Sequence, residues 1–186
     1  LNSLIKNVEA HYEDYEPTKV SREIQDFVIT KLSNWYIRLN RRRFWKGDLT
    51  EDKLMAYQTL YECLYKLSVI SSPFIPFYSE KLFKNLNAFG ISDSESVHLL
   101  EFPEIENKRI SDVLERKMSY AQNISSLVHS IRKKEKIRVR QPLSKISIPM
   151  NSKAMENEIR DVEKIILSEV NVKEIEYVYD NSKIFV

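Results

Sequence analysis

The stretch Ser33–Gly47, SNWYIRLNRRRFWKG, combines a helical apolar pattern with a high density of positive charge. Five cations stand there among four aromatic residues, and no carboxylate occurs between Asp26 and Asp48. Cations near a helix C-terminus gain only about 0.3–1 kcal/mol each from the helix dipole, which accounts for one or two of them. The stretch is therefore either a solvated helix face or a surface that meets an anionic partner.

A helical wheel separates this stretch and the residues before it into two faces. The face predicted to lie in a hydrophobic core consists of Val28, Leu32, Trp35, Tyr36 and Leu39. The face predicted to be exposed consists of Lys31, Asn34, Arg38, Arg41, Arg42 and Trp45. Arginine offers planar donors to phosphates and base edges, and an exposed aromatic ring can stack on an unpaired base. The exposed face is thus a candidate surface for single-stranded RNA, and Phe44 is assigned to it as well.

Helical periodicity extends outward from this stretch over most of the chain. The predicted helices begin near Leu1 and then cover about 18–44, 51–71, 76–86, 108–135 and 152–168. Alternating apolar residues predict strands on both sides of the last helix, and Asp180–Ser182 predicts a turn that could close a terminal hairpin. The predicted fold is mainly α: an antiparallel helix bundle at residues 1–135, followed by a small α/β subdomain at 136–186.

The composition excludes several classes of site. The 186 residues include one cysteine, so neither a disulfide framework nor a cysteine zinc site is available. Two isolated glycines leave no glycine-rich loop for a nucleotide phosphate. We expect no catalytic residue and no metal site. A reducing cytosol is the expected compartment, with no membrane partner, and the first residue, Leu1, suggests a piece of a longer chain.

A second basic segment covers Arg132–Arg140, RKKEKIRVR. Strand alternation would place Arg138 and Arg140 together on one face. Two interpretations remain open: a sheet edge protected by charge, or a surface for an RNA backbone. The candidate secondary RNA contacts are Lys133, Lys134, Arg138 and Arg140.

The remaining reactive side chains point to structure and not to catalysis. His11, His98 and His129 have no acid or cysteine at metal-ligand spacing. Cys63 lies among leucines and is predicted to be buried. Tyr57, Tyr61 and Tyr65 recur every four residues, which predicts a core or groove wall.

Several segments resemble isoleucyl-tRNA synthetases. The segments LNSLIKNV, SNWYIRLNRRRFWK and SSPFIPFYSEKLF are similar to their C-terminal anticodon-binding domain, which is of the class Ia type. The segments RVRQPLSKISIP and VNVKEIEYV resemble the small α/β part that follows. The arginine-rich tail is less similar to the valine-specific relatives.

The resemblance implies a helix bundle that binds the anticodon stem–loop of isoleucine tRNA. The whole enzyme would use ATP and Mg²⁺ to activate isoleucine, in catalytic and editing domains of the same chain. No cofactor is expected in this segment, and a monomer is expected. The alternatives are a helical protein-interaction scaffold or the equivalent domain of a valyl-type synthetase. The resemblance places the tRNA contacts in the tail Arg38–Lys46. The candidate contacts are Arg38, Arg41, Arg42, Arg43, Trp45 and Lys46, with Lys31 and Asn34 as outer members.

Overall fold

The computed structural model describes residues 1–179, so the predicted turn at Asp180–Ser182 and the terminal hairpin lie outside the described residues. The chain divides into two compact units, Leu1–Ile110 and Ser111–Val186. The predicted class is confirmed, because helices dominate and one small α/β part follows them. No helix within residues 1–179 has the length and apolar character needed to cross a bilayer.

The first unit is built from helices only. Its elements are α1 (Asn2–Glu13), α2 (Pro17–Asp26), a π-helix (Phe27–Ile37), α3 (Arg41–Trp45), α4 (Glu51–Ser71), α5 (Pro76–Leu86) and two 3₁₀ turns (Val97–Leu99 and Asn107–Arg109). The predicted bounds of α4 and α5 are confirmed. Thr50 caps α4 by accepting a hydrogen bond from the amide of Lys53, and Pro76 opens α5, where a missing N–H costs nothing.

The core of the first unit forms between α1, α2, the π-helix and α4. Its buried members are Leu4, Ile5, Val8, Val20, Ile24, Leu32, Cys63, Leu67 and Ile70. Tyr12 closes one side of this core, and its hydroxyl donates to the carbonyl oxygen of Ile70 at 2.8 Å. Burial without a charged partner raises the pKa of Tyr12 to about 12.

The π-helix is the main departure from the predicted helix at 18–44. Its i→i+5 hydrogen bonds place more residues in each turn, so residues five apart share a face. Phe27, Leu32 and Ile37 accordingly contact the core. Val28, predicted to be inside, is instead 36% exposed. Trp35 is only partly buried, although Tyr36 does pack on the core as predicted.

Up to residue 179, the second unit consists of α6 (Asp112–Lys134), β1 (Leu143–Pro149), α7 (Lys153–Val170) and β2 (Val172–Val178). The two strands are parallel, with Ile146 opposite Ile175, and α7 is the crossover between them. The predicted domain boundary followed residue 135, whereas the two units divide after Ile110. The difference is α6, which packs along α7 within the second unit.

Candidate nucleic-acid interface

The arginine-rich stretch does not continue the preceding helix. The chain leaves helical geometry at Asn40, which has φ −90° and ψ 7°. The carbonyl oxygen of Tyr36 accepts two hydrogen bonds from Asn40, one from the side-chain amide at 2.8 Å and one from the backbone N–H at 3.1 Å. Arg41–Trp45 therefore forms a separate short helix, α3.

Phe44 fixes α3 to the bundle. Its ring is buried between Tyr36 and Tyr57, with ring centroids 6.3 and 5.1 Å away. The Tyr57 hydroxyl also donates to the carbonyl oxygen of Phe44 at 2.9 Å. The assignment of Phe44 to the exposed face was wrong, because the interruption at Asn40 turns this residue toward α4.

Arg43 is engaged within the protein. Its Nε and Nη2 atoms donate to the two carboxylate oxygens of Asp52 at 2.8 and 2.6 Å, and Nη2 also reaches the Asp52 carbonyl. Its Nη1 donates to Oδ1 of Asn40 at 2.6 Å. This two-pronged arrangement matches the planar guanidinium and links α3 to the start of α4. A direct contact of Arg43 with RNA stays a prediction.

The other side chains of α3 and its C-cap are directed to solvent. We call Arg41, Arg42, Trp45 and Lys46 the α3 surface; all four are exposed, and Trp45 retains 80% of its accessibility. Arg41 and Trp45 are one helical turn apart and share a face. Within the described part of the chain, neither Arg41 nor Arg42 has a side-chain hydrogen bond or an ion pair.

The remaining predicted contacts before α3 are also exposed. Lys31 and Asn34 lie on the π-helix, and Arg38 follows it directly. Lys31 and Arg38 each take part in an interaction within the chain. Because the wheel that aligned these residues with Arg41 assumed α-helical geometry, the single stripe it predicted is interrupted at the π-helix and at Asn40.

The second basic segment is not a strand. Lys133 and Lys134 end α6, whereas Arg138 and Arg140 lie in the loop before β1, and all four are exposed. The predicted strand alternation of Arg138 and Arg140 was wrong, because backbone carbonyls in this loop bond to a side chain and not to a neighbouring strand. That side chain is Arg132, which is 2% exposed.

The candidate catalytic residues have structural surroundings. Cys63 is buried, and desolvation raises the pKa of its thiol, which disfavours the nucleophilic thiolate. His11 contacts Glu23 at 3.1 Å and His129 contacts Glu169 at 3.2 Å. Among residues 1–179 no group of three or more His, Cys, Asp or Glu side chains could hold a metal ion.

Two of the residues that shape this surface were missed in the sequence. Neither Asp52 nor Asn40 was assigned to the predicted RNA-binding surface. Asp52 acts through Arg43, and Asn40 acts through Arg43 and the carbonyl oxygen of Tyr36. The pairing of Arg43 with Asp52 spans nine residues and an intervening turn, so no local periodicity signals it.

Comparison with known proteins identifies the family of the chain. The family described as the anticodon-binding domain of tRNA ligase matches residues 1–147. The chain is 51% identical over 187 residues to the isoleucine–tRNA ligase of Cytophaga hutchinsonii, covering 100% of the chain and 17% of that protein. It is 48% identical over 179 residues to the Bacteroides fragilis ligase of the same name, covering 96% of the chain and 16% of that protein. The Porphyromonas gingivalis ligase is 47% identical over 186 residues, which cover 100% of the chain and 16% of that relative.

Proposed function

The chain belongs to the family of anticodon-binding domains of tRNA ligases, and we propose that its α3 surface binds the anticodon stem–loop of isoleucine tRNA. The protein that contains it would be a cytoplasmic isoleucine–tRNA ligase, with ATP, Mg²⁺ and isoleucine handled by other domains of the same chain. The names of the relatives favour this assignment over a valyl-type enzyme or a protein-interaction scaffold. This chain would contribute recognition and no chemical step.

The observation that carries the proposal is the exposure of Trp45 beside two arginines. A large indole that is 80% exposed has no packing role in the described structure. Stacking of an unpaired base on such a ring contributes roughly 1–3 kcal/mol, and the anticodon loop offers unpaired bases. Arg41 and Arg42 stand on the same short helix, where their guanidinium groups can donate to phosphates or base edges.

Rigid attachment of α3 adds to this argument. The buried Phe44 ring and the Arg43–Asp52 pair hold the helix from two sides. A surface that is already ordered loses less conformational entropy when a ligand binds. The backbone that carries Trp45 and the two arginines would therefore already be in place when unstacked anticodon bases bind.

The test is the double variant Arg41→Ala, Arg42→Ala, titrated with an isoleucine tRNA transcript. We expect a loss of affinity of at least tenfold, because good bidentate arginine contacts are worth about 1–3 kcal/mol each. The circular dichroism spectrum should be unchanged, since both side chains are exposed and Phe44 still holds the helix.

A matched control removes the same two charges elsewhere in the first unit. Arg22 on α2 and Lys81 on α5 are exposed, and neither forms an ion pair among the described residues. The variant Arg22→Ala, Lys81→Ala should bind within about twofold of the parent chain. Equal losses in the two double variants would attribute binding to net charge and would reject the α3 surface as the site.

A further inference from the structure

A dense group of exposed cations surrounds the end of α6. We call Lys133–Arg140 the basic loop; its five cations, Lys133, Lys134, Lys136, Arg138 and Arg140, are all exposed. Glu135 is the single carboxylate of the segment. None of the five cations forms an ion pair with a residue in the part of the chain that the structure describes. Each charge is therefore open to solvent and to a ligand.

Arg132 gives this loop its shape. Its guanidinium donates to four backbone carbonyls: those of Arg138 and Gln141 in and after the loop, and those of Val170 and Asn171 at the end of α7. The four distances lie between 2.8 and 3.1 Å. Since carbonyl oxygens carry no net charge, the loop is fixed in place without a carboxylate that would reduce its positive potential.

The backbone at Lys136 is a second, independent observation. The amides of Lys136 and Ile137 donate to the carbonyls of Lys133 and Arg132, which is the Schellman arrangement at a helix C-terminus. The residue in the left-handed position of this motif is usually glycine, yet here it is Lys136, with φ 55°. A lysine is strained there, and strain of this kind is often retained where the side chain has a function.

We propose that the basic loop binds the phosphate backbone of a tRNA without reading its sequence. The inference rests on the proposed function, because tRNA is the polyanion that the family binds. The loop and its flanks, Arg132–Pro142, contain no aromatic residue on which a base could stack. Lysine and arginine side chains that project from a fixed backbone suit contacts with phosphate oxygens. The contribution of the loop should therefore be the same for cognate and non-cognate tRNA.

The decisive variant is Lys136→Gly. Glycine adopts the left-handed conformation without strain, so the fold should be retained while one charge is lost. A second variant, Lys133→Gln with Lys134→Gln, removes two charges from exposed helical positions. The matched control is Lys164→Gln with Lys173→Gln, which changes two exposed cations of the same unit that lie outside the loop.

Dissociation constants are measured for an isoleucine tRNA transcript and for an unrelated tRNA transcript between about 50 and 200 mM salt. Each lost phosphate contact should weaken binding about fivefold at 0.1 M salt and reduce the slope of log K against log salt by roughly 0.7. Both transcripts should be affected equally, and the control variant should match the parent chain.

The outcomes separate this inference from the function on which it depends. Loop variants that bind like the control, while the Arg41, Arg42 variant is impaired, would overturn the loop alone. A loss restricted to the isoleucine transcript would overturn sequence-independent contact with phosphates. Failure of the parent chain to bind either transcript would overturn the proposed function and the loop together.

Discussion

Each basic segment of the chain is positioned by an arginine whose guanidinium is already occupied, but the two arginines have different partners. Arg43 bonds to the carboxylate of Asp52, and the two side chains are 37% and 71% exposed. Arg132 is 2% exposed and bonds only to backbone carbonyls. The first arrangement cancels a positive charge, whereas the second retains it.

This difference leads us to expect two kinds of RNA contact. At the α3 surface the charge of Arg43 is matched, and the exposed indole of Trp45 adds a group that can distinguish unpaired bases from a duplex. In the basic loop every charge is retained and no ring is present, so attraction is strong but indiscriminate. We expect the α3 surface to supply specificity and the basic loop to supply affinity that depends on salt.

The largest expected effect comes from removing the buried guanidinium. Arg132→Met should destabilise the second unit by about 3–5 kcal/mol, because four carbonyls lose a charged donor in a buried site. Urea denaturation monitored by circular dichroism measures this loss. Arg138→Met is the matched control, since that side chain is exposed, and it should change the free energy of unfolding by less than about 0.5 kcal/mol. Similar values for the two variants would show that Arg132 does not organise the loop.

Phe44→Ala should have the next largest effect, about 3 kcal/mol, the lower end of the range for truncating a buried ring, because it removes the ring from between Tyr36 and Tyr57. The neighbouring substitution Trp45→Ala should cost less than about 0.5 kcal/mol, since the indole is exposed. For tRNA binding, Trp45→Ala should still lower affinity about tenfold through lost stacking. A stable Phe44→Ala protein would mean that α3 is not held by this ring.

The helices could be predicted from the sequence because their signals are local. Thr50 before an acidic first turn marks the start of α4, and Pro76 marks the start of α5. The π-helix could not be predicted in this way, because its hydrogen-bond pattern depends on packing. Phe27, Leu32 and Ile37, which are five residues apart, all contact the core in that geometry.

The candidate site was predictable in its residue types more than in its geometry. Trp45, Arg41 and Arg42 are exposed, as the wheel predicted, but Phe44 is buried one residue away. The later part of the basic loop was predicted as the start of a strand because Ile137 and Val139 alternate with cations. Nothing in that local pattern indicates that Arg132 will bond to carbonyls at the end of α7, 38 and 39 residues further along the chain.

Glu156 in the second unit is a carboxylate partner of Arg160, and its contribution to stability can be titrated. The backbone carbonyls that bind Arg132 provide the comparison, because they carry no titratable charge. Hydrogen bonds from Lys153, Tyr179 and Arg160 lower the pKa of Glu156 to about 2, from an ordinary value of 4.5. Because the folded pKa is the lower one, this group stabilises the fold fully above about pH 4.5 and less as the pH falls toward 2. The difference between the urea midpoints of the parent chain and of Glu156→Gln should therefore shrink as the pH falls from about 4.5 toward 2. A gap that stays constant would mean that Glu156 does not stabilise the fold through its charge. The carbonyl partners of Arg132 cannot titrate, so these bonds should persist over the same range.

The smallest expected effect tests whether Arg43 contacts RNA or only positions α3. Arg43→Ala should cost about 0.5–1 kcal/mol, since exposed ion pairs contribute at most about 1 kcal/mol and the bidentate geometry places this pair in the upper part of that range. If Arg43 only positions the helix, the salt slope of tRNA binding should be unchanged, because Arg43 then neutralises no phosphate and releases no counterion. A slope reduced by roughly 0.7 would indicate a lost phosphate contact and would make the two basic segments alike. Arg43→Lys refines the test: it retains the charge but loses the bidentate pairing with Asp52. It should therefore behave like Arg43→Ala in stability and like the parent chain in salt slope.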